Sequence, residues 1–359
     1  MNLILSLFML GLPLSNPKDV AQRVVDHFIQ QHNHFESASD AWGNYTLDLT
    51  LESMLLYDFY TESNNFTPVV KNVMKLRNLS PSDTISYRSQ PFCSINYTLY
   101  KVTKDREYIA PYVYETNKMM AEVGRTMEGA ICLTTKTDTN MLIDYLQEYA
   151  SRVAKTGFLT GQEKYFEEAV NQFLLYERIL RNPVNGLWSQ GRGWLENEME
   201  LSPGAWSRGH GWLLRGLVTT MMHLPENSHW QRQLQPVLES VSKALLNVQD
   251  SAGMWHQLLD YPIKISAPET SGTGMIAYYL TQAMKHGYLS RDVFETPVFT
   301  SIDAMKSYVL ENGTITYTCK GPGPLYSVED YISYIPESDD EHGAQAFIYA
   351  MLAEILLKR

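Results

Sequence analysis

Apolar positions along the chain recur with the spacing of helices. In residues 18–33, Val20, Val24, Phe28 and Ile29 fall at i, i+4, i+8 and i+9, which places them on one helical face. In 47–60, Leu51, Met54, Leu55 and Phe59 do the same. The pattern predicts further helices over 67–77, 92–102, 109–125, 139–156, 162–180, 205–223, 229–248, 270–286, 291–310 and 342–357. The series of twelve repeats about every thirty residues. Alternation of the strand kind is confined to 255–259 and 314–318, read as small hairpins within loops. Twelve sequential helices suit an all-α toroid of inner and outer helices, an (α/α)6 barrel; an open superhelix of helical repeats is the competing arrangement. No tetratricopeptide or HEAT consensus recurs, which favours closure. No Pro/Gly/Ser-rich linker divides the chain, and the dense patch Gly321-Pro-Gly-Pro324 falls inside a loop. Residues 16–359 therefore read as a single domain.

Composition agrees with a large packed core: 44% of the 359 residues are hydrophobic, and 23 Tyr, 12 Phe and 7 Trp cannot all remain solvated. The formal charge of -11 and the lack of a Lys/Arg cluster argue against a nucleic-acid partner and against adsorption to an anionic membrane. Cys93, Cys132 and Cys319 form no CxxC and read as buried thiols. No HExxH, GxSxG, Walker or dinucleotide glycine pattern occurs, so no metal or other cofactor is expected. The apolar run 3–14 is too short to span a bilayer and reads as the core of a signal peptide covering 1–15. Asn44, Asn65, Asn78, Asn96 and Asn312 each head a glycosylation sequon. Together these features predict a secreted or lumenal glycoprotein.

Two segments carry candidate chemistry. Asp144 stands among apolar neighbours in Leu142-Ile-Asp-Tyr-Leu146, on the second turn of a helix that Asp138 caps. Desolvation would favour its protonated form and suit it to proton donation near neutral pH. The structural alternative puts it on a polar stripe with Asn140, Gln147 and Glu148. The second segment, Ser202-Pro-Gly-Ala-Trp-Ser-Arg-Gly-His-Gly-Trp212, opens a helix with Arg208 and His210 between glycines and tryptophans. A helix N-terminus with an Arg fork suits a carboxylate, and Trp206 and Trp212 suit a sugar ring. Tight helix packing with ordinary core tryptophans is the alternative. His342, in Asp339-Asp-Glu-His342-Gly, starts the last helix; it either points into the rim or serves a turn that Asp339 or Asp340 caps.

These segments, with Gly186-Leu-Trp188, Trp255-His-Gln, Glu269-Thr-Ser-Gly272 and Lys285-His-Gly-Tyr288, resemble the unsaturated glucuronyl and rhamnogalacturonyl hydrolases, glycoside hydrolase families 88 and 105. The resemblance runs from about residue 18 to the C-terminus and is most specific in the second half. It implies an (α/α)6 barrel and an unusual reaction, with an unsaturated uronyl oligosaccharide as substrate. An Asp protonates C4 of the C4=C5 bond of a terminal unsaturated uronic acid, water adds at C5, and the hemiketal opens to release the next sugar. Asp144 matches that Asp. Arg208 would hold the uronate carboxylate, Trp206, Trp212 and Trp188 would line the subsite, and Gln190, His210 and His342 would be polar contacts. The chain departs from the family pattern at four places: no carboxylate stands near Arg88-Ser-Gln-Pro91 where the family has a second Asp, Leu142 replaces a Trp, Gln190 replaces a His, and Leu133-Thr134 replaces His-Lys. A non-catalytic carbohydrate-binding descendant of the same fold therefore stands beside the enzyme as a reading, with a helical-repeat scaffold as the third.

Overall fold

A computed structural model describes residues 16–31, 45–76, 95–132, 140–262 and 264–359. In chain order its helices are α1 (Pro17–Gln31), α2 (Tyr45–Thr61), α3 (Thr67–Leu76), α4 (Ile95–Thr103), α5 (Ile109–Glu122), α6 (Tyr145–Thr160), α7 (Glu163–Leu180), α8 (Ser207–His223), α9 (His229–Leu246), α10 (Thr270–Lys285), α11 (Arg291–Lys306), the short α12 (Val328–Ser333) and α13 (Gly343–Leu357). All but α12 match the periodicity of the sequence.

The helices sort into two layers by how much of their circumference is buried. α6, α8, α10 and α13 are buried nearly all round, as helices of an inner ring must be. α9 buries one stripe, Trp230, Leu234, Val237, Leu238, Val241 and Leu245 with the small Ser242 and Ala244 beside it, and leaves its other face at least partly exposed. The inner ring is α2, α4, α6, α8, α10 and α13. α8 packs on α6 and α10, α10 on α13, and α13 on both α2 and α1. Lys155 of α6 lies 5.1 Å over the Tyr97 ring of α4 and links those two. The first and last helices thus touch and the toroid closes, which excludes an open superhelix. The fold is the six-hairpin (α/α)6 barrel, and one hydrophobic core runs through it from Val20 to Leu357.

Glycine sets the closest approaches in the inner ring. A Cβ on Gly274 would stand 2.3 Å from the Ala346 carbonyl oxygen, and one on Gly216 would stand 2.8 Å from the Gln147 Cα. Only glycine lets α10 meet α13, and α8 meet α6, at that spacing.

The structure corrects several expectations. The helix expected over 139–156 begins at Tyr145, because Met141–Leu142 is instead a short strand paired antiparallel with Gly191–Arg192. Asp144 consequently occupies the N-cap of α6 and not its second turn. The helix expected to reach 125 stops at Glu122, since Gly124–Arg125 pairs with Ile131–Cys132. The runs 255–259 and 314–318 form isolated bridges, Trp206 to Leu258, His256 to Pro268, Val309 to Ile315 and Thr318 to Glu337. Asn96 is only 5% exposed on α4, so its sequon is closed to modification in the folded chain, whereas Asn65 and Asn312 are exposed. Cys132 and Cys319 are buried. The segment 1–15, Asn44, Asn78, Cys93, Asp138, and the positions near Arg88 and Leu133 lie outside the described residues.

Candidate active site

The N-terminal ends of the inner helices meet at one rim of the barrel. Tyr45 opens α2, Asp144 caps α6, Arg208 is in the first turn of α8, Glu269 caps α10 and His342 caps α13. Converging helix N-termini give this rim a positive bias that suits anionic groups.

Asp144 is placed by the strand pair before it. Met141 and Leu142 pair with Arg192 and Gly191, and the Ile143 N–H donates to the Gln190 carbonyl at 2.8 Å. The chain then turns straight into α6. Gly209, in the first turn of α8, lies so close that a Cβ there would stand 3.1 Å from Ile143 Cγ2. Asp144 is 8% exposed, and its Oδ2 has no hydrogen-bond partner among the described residues. Burial lifts its pKa from 3.8 to about 7, while the nearby Arg208 charge pulls the other way. This side chain is an acid still holding its proton near neutrality.

Arg208 is 1% exposed and largely committed. Its Nη1 donates to Ser271 Oγ at 3.0 Å and to the Cys319 carbonyl at 2.5 Å, and its Nη2 donates to the Lys320 carbonyl at 3.0 Å. The guanidinium lies 4.6 Å over the Trp206 ring. Ser271 Oγ in turn donates to Glu269 Oε1, which also accepts the Cys319 N–H. Of five guanidinium donors, Nε and one N–H of Nη2 remain, so Arg208 offers a substrate one peripheral N–H and its charge, not the expected free fork.

The other residues singled out by sequence divide into two groups. His210 is fully buried and acts as a clip. Its Nδ1 donates to the Trp206 carbonyl at 2.9 Å, so its Nε2 accepts the Trp188 N–H at 3.0 Å. Burial pushes its pKa down to about 4, which keeps it neutral. Trp188, Trp206 and Trp212 are 1%, 2% and 2% exposed, so their faces pack inside the protein and do not form open walls. The aromatic and apolar groups that remain partly exposed here are Tyr45, Leu142 and Trp194. Gln190 is also buried: Nε2 donates to the Pro322 carbonyl at 3.0 Å and Oε1 accepts from the Tyr331 hydroxyl. Arg208 and Gln190 thus fasten the segment 319–331 across the rim.

His342 belongs to a chain that the sequence concealed. Its Nδ1 donates to Asp340 Oδ1 at 2.6 Å, and its Nε2 accepts from the Tyr45 hydroxyl at 2.5 Å. Neither Asp339 nor Asp340 caps the last helix as expected: its N-cap is His342 with no side-chain cap, Asp340 Oδ1 accepts the His342 N–H at 3.1 Å, and Asp339 accepts the Ile315 N–H. A Cβ on Gly321 would stand 3.5 Å from His342 Cε1 and 3.7 Å from both Arg208 Nη2 and Tyr45 Oη. Three polar groups therefore converge on the edge of segment 319–331. Burial raises the Tyr45 pKa and depresses that of His342, the latter with help from Arg208. Both stay neutral. Glu269 and Ser271 stood in the sequence only as part of a resembling segment, with no role assigned, and Tyr45 gave no usable signal: a single Tyr before a helical run carries no spacing, and its partner lies 297 residues away. Among the described residues, no group of three His, Cys, Asp or Glu is arranged to hold a metal, and no helix is long and apolar enough to cross a membrane.

Comparison with known proteins identifies the family and the fold. The chain is 24% identical over 272 residues, covering 73% of it and 76% of the relative, to a Bacillus subtilis protein named unsaturated rhamnogalacturonyl hydrolase YesR. It superposes with a TM-score of 0.81 on a possible member of the GH105 family from Klebsiella pneumoniae, at 24% identity, covering 97% of this chain and 94% of that one. A possible GH105 member from Salmonella enterica gives 0.80 at 25% identity, covering 96% and 94%. The family model of Glycosyl Hydrolase Family 88 matches residues 18–357, nearly the whole chain, so this protein belongs to that family.

Proposed function

We propose that the protein hydrates the C4=C5 double bond of a terminal unsaturated uronic acid in an oligosaccharide and so releases the adjoining sugar. The observation that carries this is Asp144, a buried carboxyl still protonated near pH 7 beside one cation. Protonation of an enol-ether carbon needs such an acid, whereas displacement at an anomeric carbon calls for two opposed carboxylates. The proton of Asp144 passes to C4 as the C4=C5 electrons form the new C–H bond. The cation left at C5 is stabilised by the ring oxygen. Water forms a bond to C5, and its proton goes to the Tyr45 oxygen while the Tyr45 proton moves to His342 Nε2. Asp340 stabilises the resulting imidazolium, as an Asp does for a catalytic His. Proton return from His342 through solvent restores Asp144. Arg208 supplies charge and one N–H to the uronate carboxylate, and Tyr45, Leu142 and Trp194 provide the partly exposed surface around it. The relative's name, unsaturated rhamnogalacturonyl hydrolase, supports this substrate class.

The test follows loss of the double bond's ultraviolet absorbance with unsaturated uronyl disaccharides from pectin-, ulvan- and glycosaminoglycan-type polymers. Turnover by the wild type is expected, with Asp144→Asn abolishing it and Tyr45→Phe lowering kcat by about 10²-fold or more. Glycan binding without turnover, unchanged in Asp144→Asn, would replace the enzyme with a binding protein of the same fold.

A further inference from the structure

At the end of the barrel opposite Asp144, the C-terminal halves of the inner helices enclose a second cavity, of about 40 Å³. At 10–15 Å³ per water, that is room for about three waters or one small ion, and too little for a sugar ring. Three cations line it, Lys101 of α4, Lys155 of α6 and Arg215 of α8, against one carboxylate, Glu52 of α2. Glu52 pairs with Arg215, accepts from Thr98 Oγ1 at 2.8 Å and stands 4.0 Å from Lys155. Lys101 makes no ion pair among the described residues. Its ammonium sits 4.3 Å from the Phe59 ring centroid and 5.0 Å from that of Tyr60, so it has aromatic faces but no acceptor for its three N–H groups. Lys285 adds a further cation behind Tyr60, at 4.8 Å from the ring.

Cations near helix C-termini are often explained by the helix dipole. Here the Lys101 ammonium lies against the Phe59 and Tyr60 rings and donates to no terminal carbonyl among the described residues, and the side chains at these helix ends donate to carbonyls one turn back. Thr61 donates to the Tyr57 carbonyl, Thr103 to Leu99, Thr160 to Thr156, and His223 Nδ1 to Thr219. His223 is neutral: its Nε2 accepts from the Tyr97 hydroxyl at 2.7 Å, and burial drives its pKa to about 3. Three cations and one carboxylate line the cavity, so its lining carries a net positive charge; Glu148 of α6 adds a second carboxylate near Lys155 and Arg215 and is itself paired with Arg152 at 2.9 Å. Buried charge of one sign is costly without a counter-charge.

We infer that this cavity is a binding site for a small inorganic anion, seated against Lys101, Lys155 and Arg215 and separate from the Asp144 rim. The anion bridges α4, α6 and α8 and holds the closed end of the barrel together. Halide and oxyanion share the chemistry that these groups recognise, and the titration separates them.

The experiment is calorimetric titration of the full chain with sodium phosphate, and separately with sodium chloride, at constant ionic strength set with a bulky organic anion. Unfolding temperature is followed in parallel. One-site saturable binding is expected with a Kd of about 1 mM or tighter for at least one of the two anions. The unfolding temperature should rise with that anion. Lys101→Met should weaken binding about tenfold or more, Lys101→Arg should retain it, and glucuronate, which is too large for the cavity, should not compete. Circular dichroism of both variants checks that they fold. Absence of saturable binding by either anion would overturn the inference and leave a water-filled cavity. Undiminished binding in a folded Lys101→Met chain, or competition by glucuronate, would overturn it by moving the anion to the Asp144 rim.

Discussion

Replacing Asp144 by Asn keeps the shape of the side chain and removes its charge, and the structure specifies what that should do to stability. Burial raises the carboxyl pKa from 3.8 to about 7 in the folded chain. Between those two values the native state holds a proton that the unfolded chain has released, so stability falls as pH rises through the window and levels off above pH 7. The full cost of the buried acid above pH 7 is about 4 kcal/mol, at 1.36 kcal/mol for each pH unit between 3.8 and 7. Only part of that is lost by pH 5, and the further loss between pH 5 and pH 8 is about 2–3 kcal/mol. Asn does not ionise and escapes this loss. The cost of burying its amide is equal at both pH values and drops out of the difference. Urea denaturation of both proteins at pH 5 and pH 8 should therefore show Asp144→Asn gaining about 2–3 kcal/mol on the wild type over that interval. A stability difference independent of pH, or one that grows in the wild type's favour at pH 8, would refute a raised Asp144 pKa and with it the proposed proton donor.

The catalytic counterpart is a loss of kcat/KM as pH rises through about 7, because Asp144 must carry its proton; a rate flat from pH 6 to 9 would contradict it. Arg208→Met removes the charge that lowers the Asp144 pKa, so the alkaline limb should move to higher pH. The same change frees the Cys319 and Lys320 carbonyls and should cost about 3 kcal/mol in urea denaturation. His210→Phe strands the buried Trp188 N–H and should cost about 2 kcal/mol at pH 7, where His210 is neutral and no charge is lost. Gly274→Ala forces a methyl onto the Ala346 carbonyl and should destabilise by about 2–3 kcal/mol despite the helix preference of Ala, read as a fall in unfolding temperature.

The helices were legible because each presents its own period; which of them form the inner ring was not read from the sequence, although α10 and α13 are buried on nearly every side. Helix ends were less so. The start of α6 depends on Met141–Leu142 finding a strand partner fifty residues on, a choice that tertiary pairing makes against local pattern. Asp144 was recognisable from its apolar neighbours, but its place at the N-cap was not. The tryptophans misled for a physical reason: an indole can serve equally as a sugar platform or as core filling, and composition does not distinguish them. Trp188, Trp206 and Trp212 fill core. The Tyr45–His342–Asp340 chain joins the first inner helix to the last, and no local spacing encodes a contact made only when the ring closes.

Gln190 shows how the rim divides its chemistry. A neutral amide donates and accepts at once, and here it donates to the Pro322 carbonyl and accepts from Tyr331. An imidazole at that position could satisfy both partners in only one tautomer, and protonation would leave it unable to accept from Tyr331. With Gln190 and the permanently charged Arg208 holding segment 319–331, the fastening of that segment does not change as pH passes through neutrality. In the proposed reaction, proton transfer is left to Asp144 on one side and to His342, backed by Asp340, on the other. A rim whose scaffold is indifferent to pH, beside a buried acid whose pKa burial lifts to about 7, fits the proposed proton donor, and a site that merely held a sugar would have no use for a buried acid that weakens the fold.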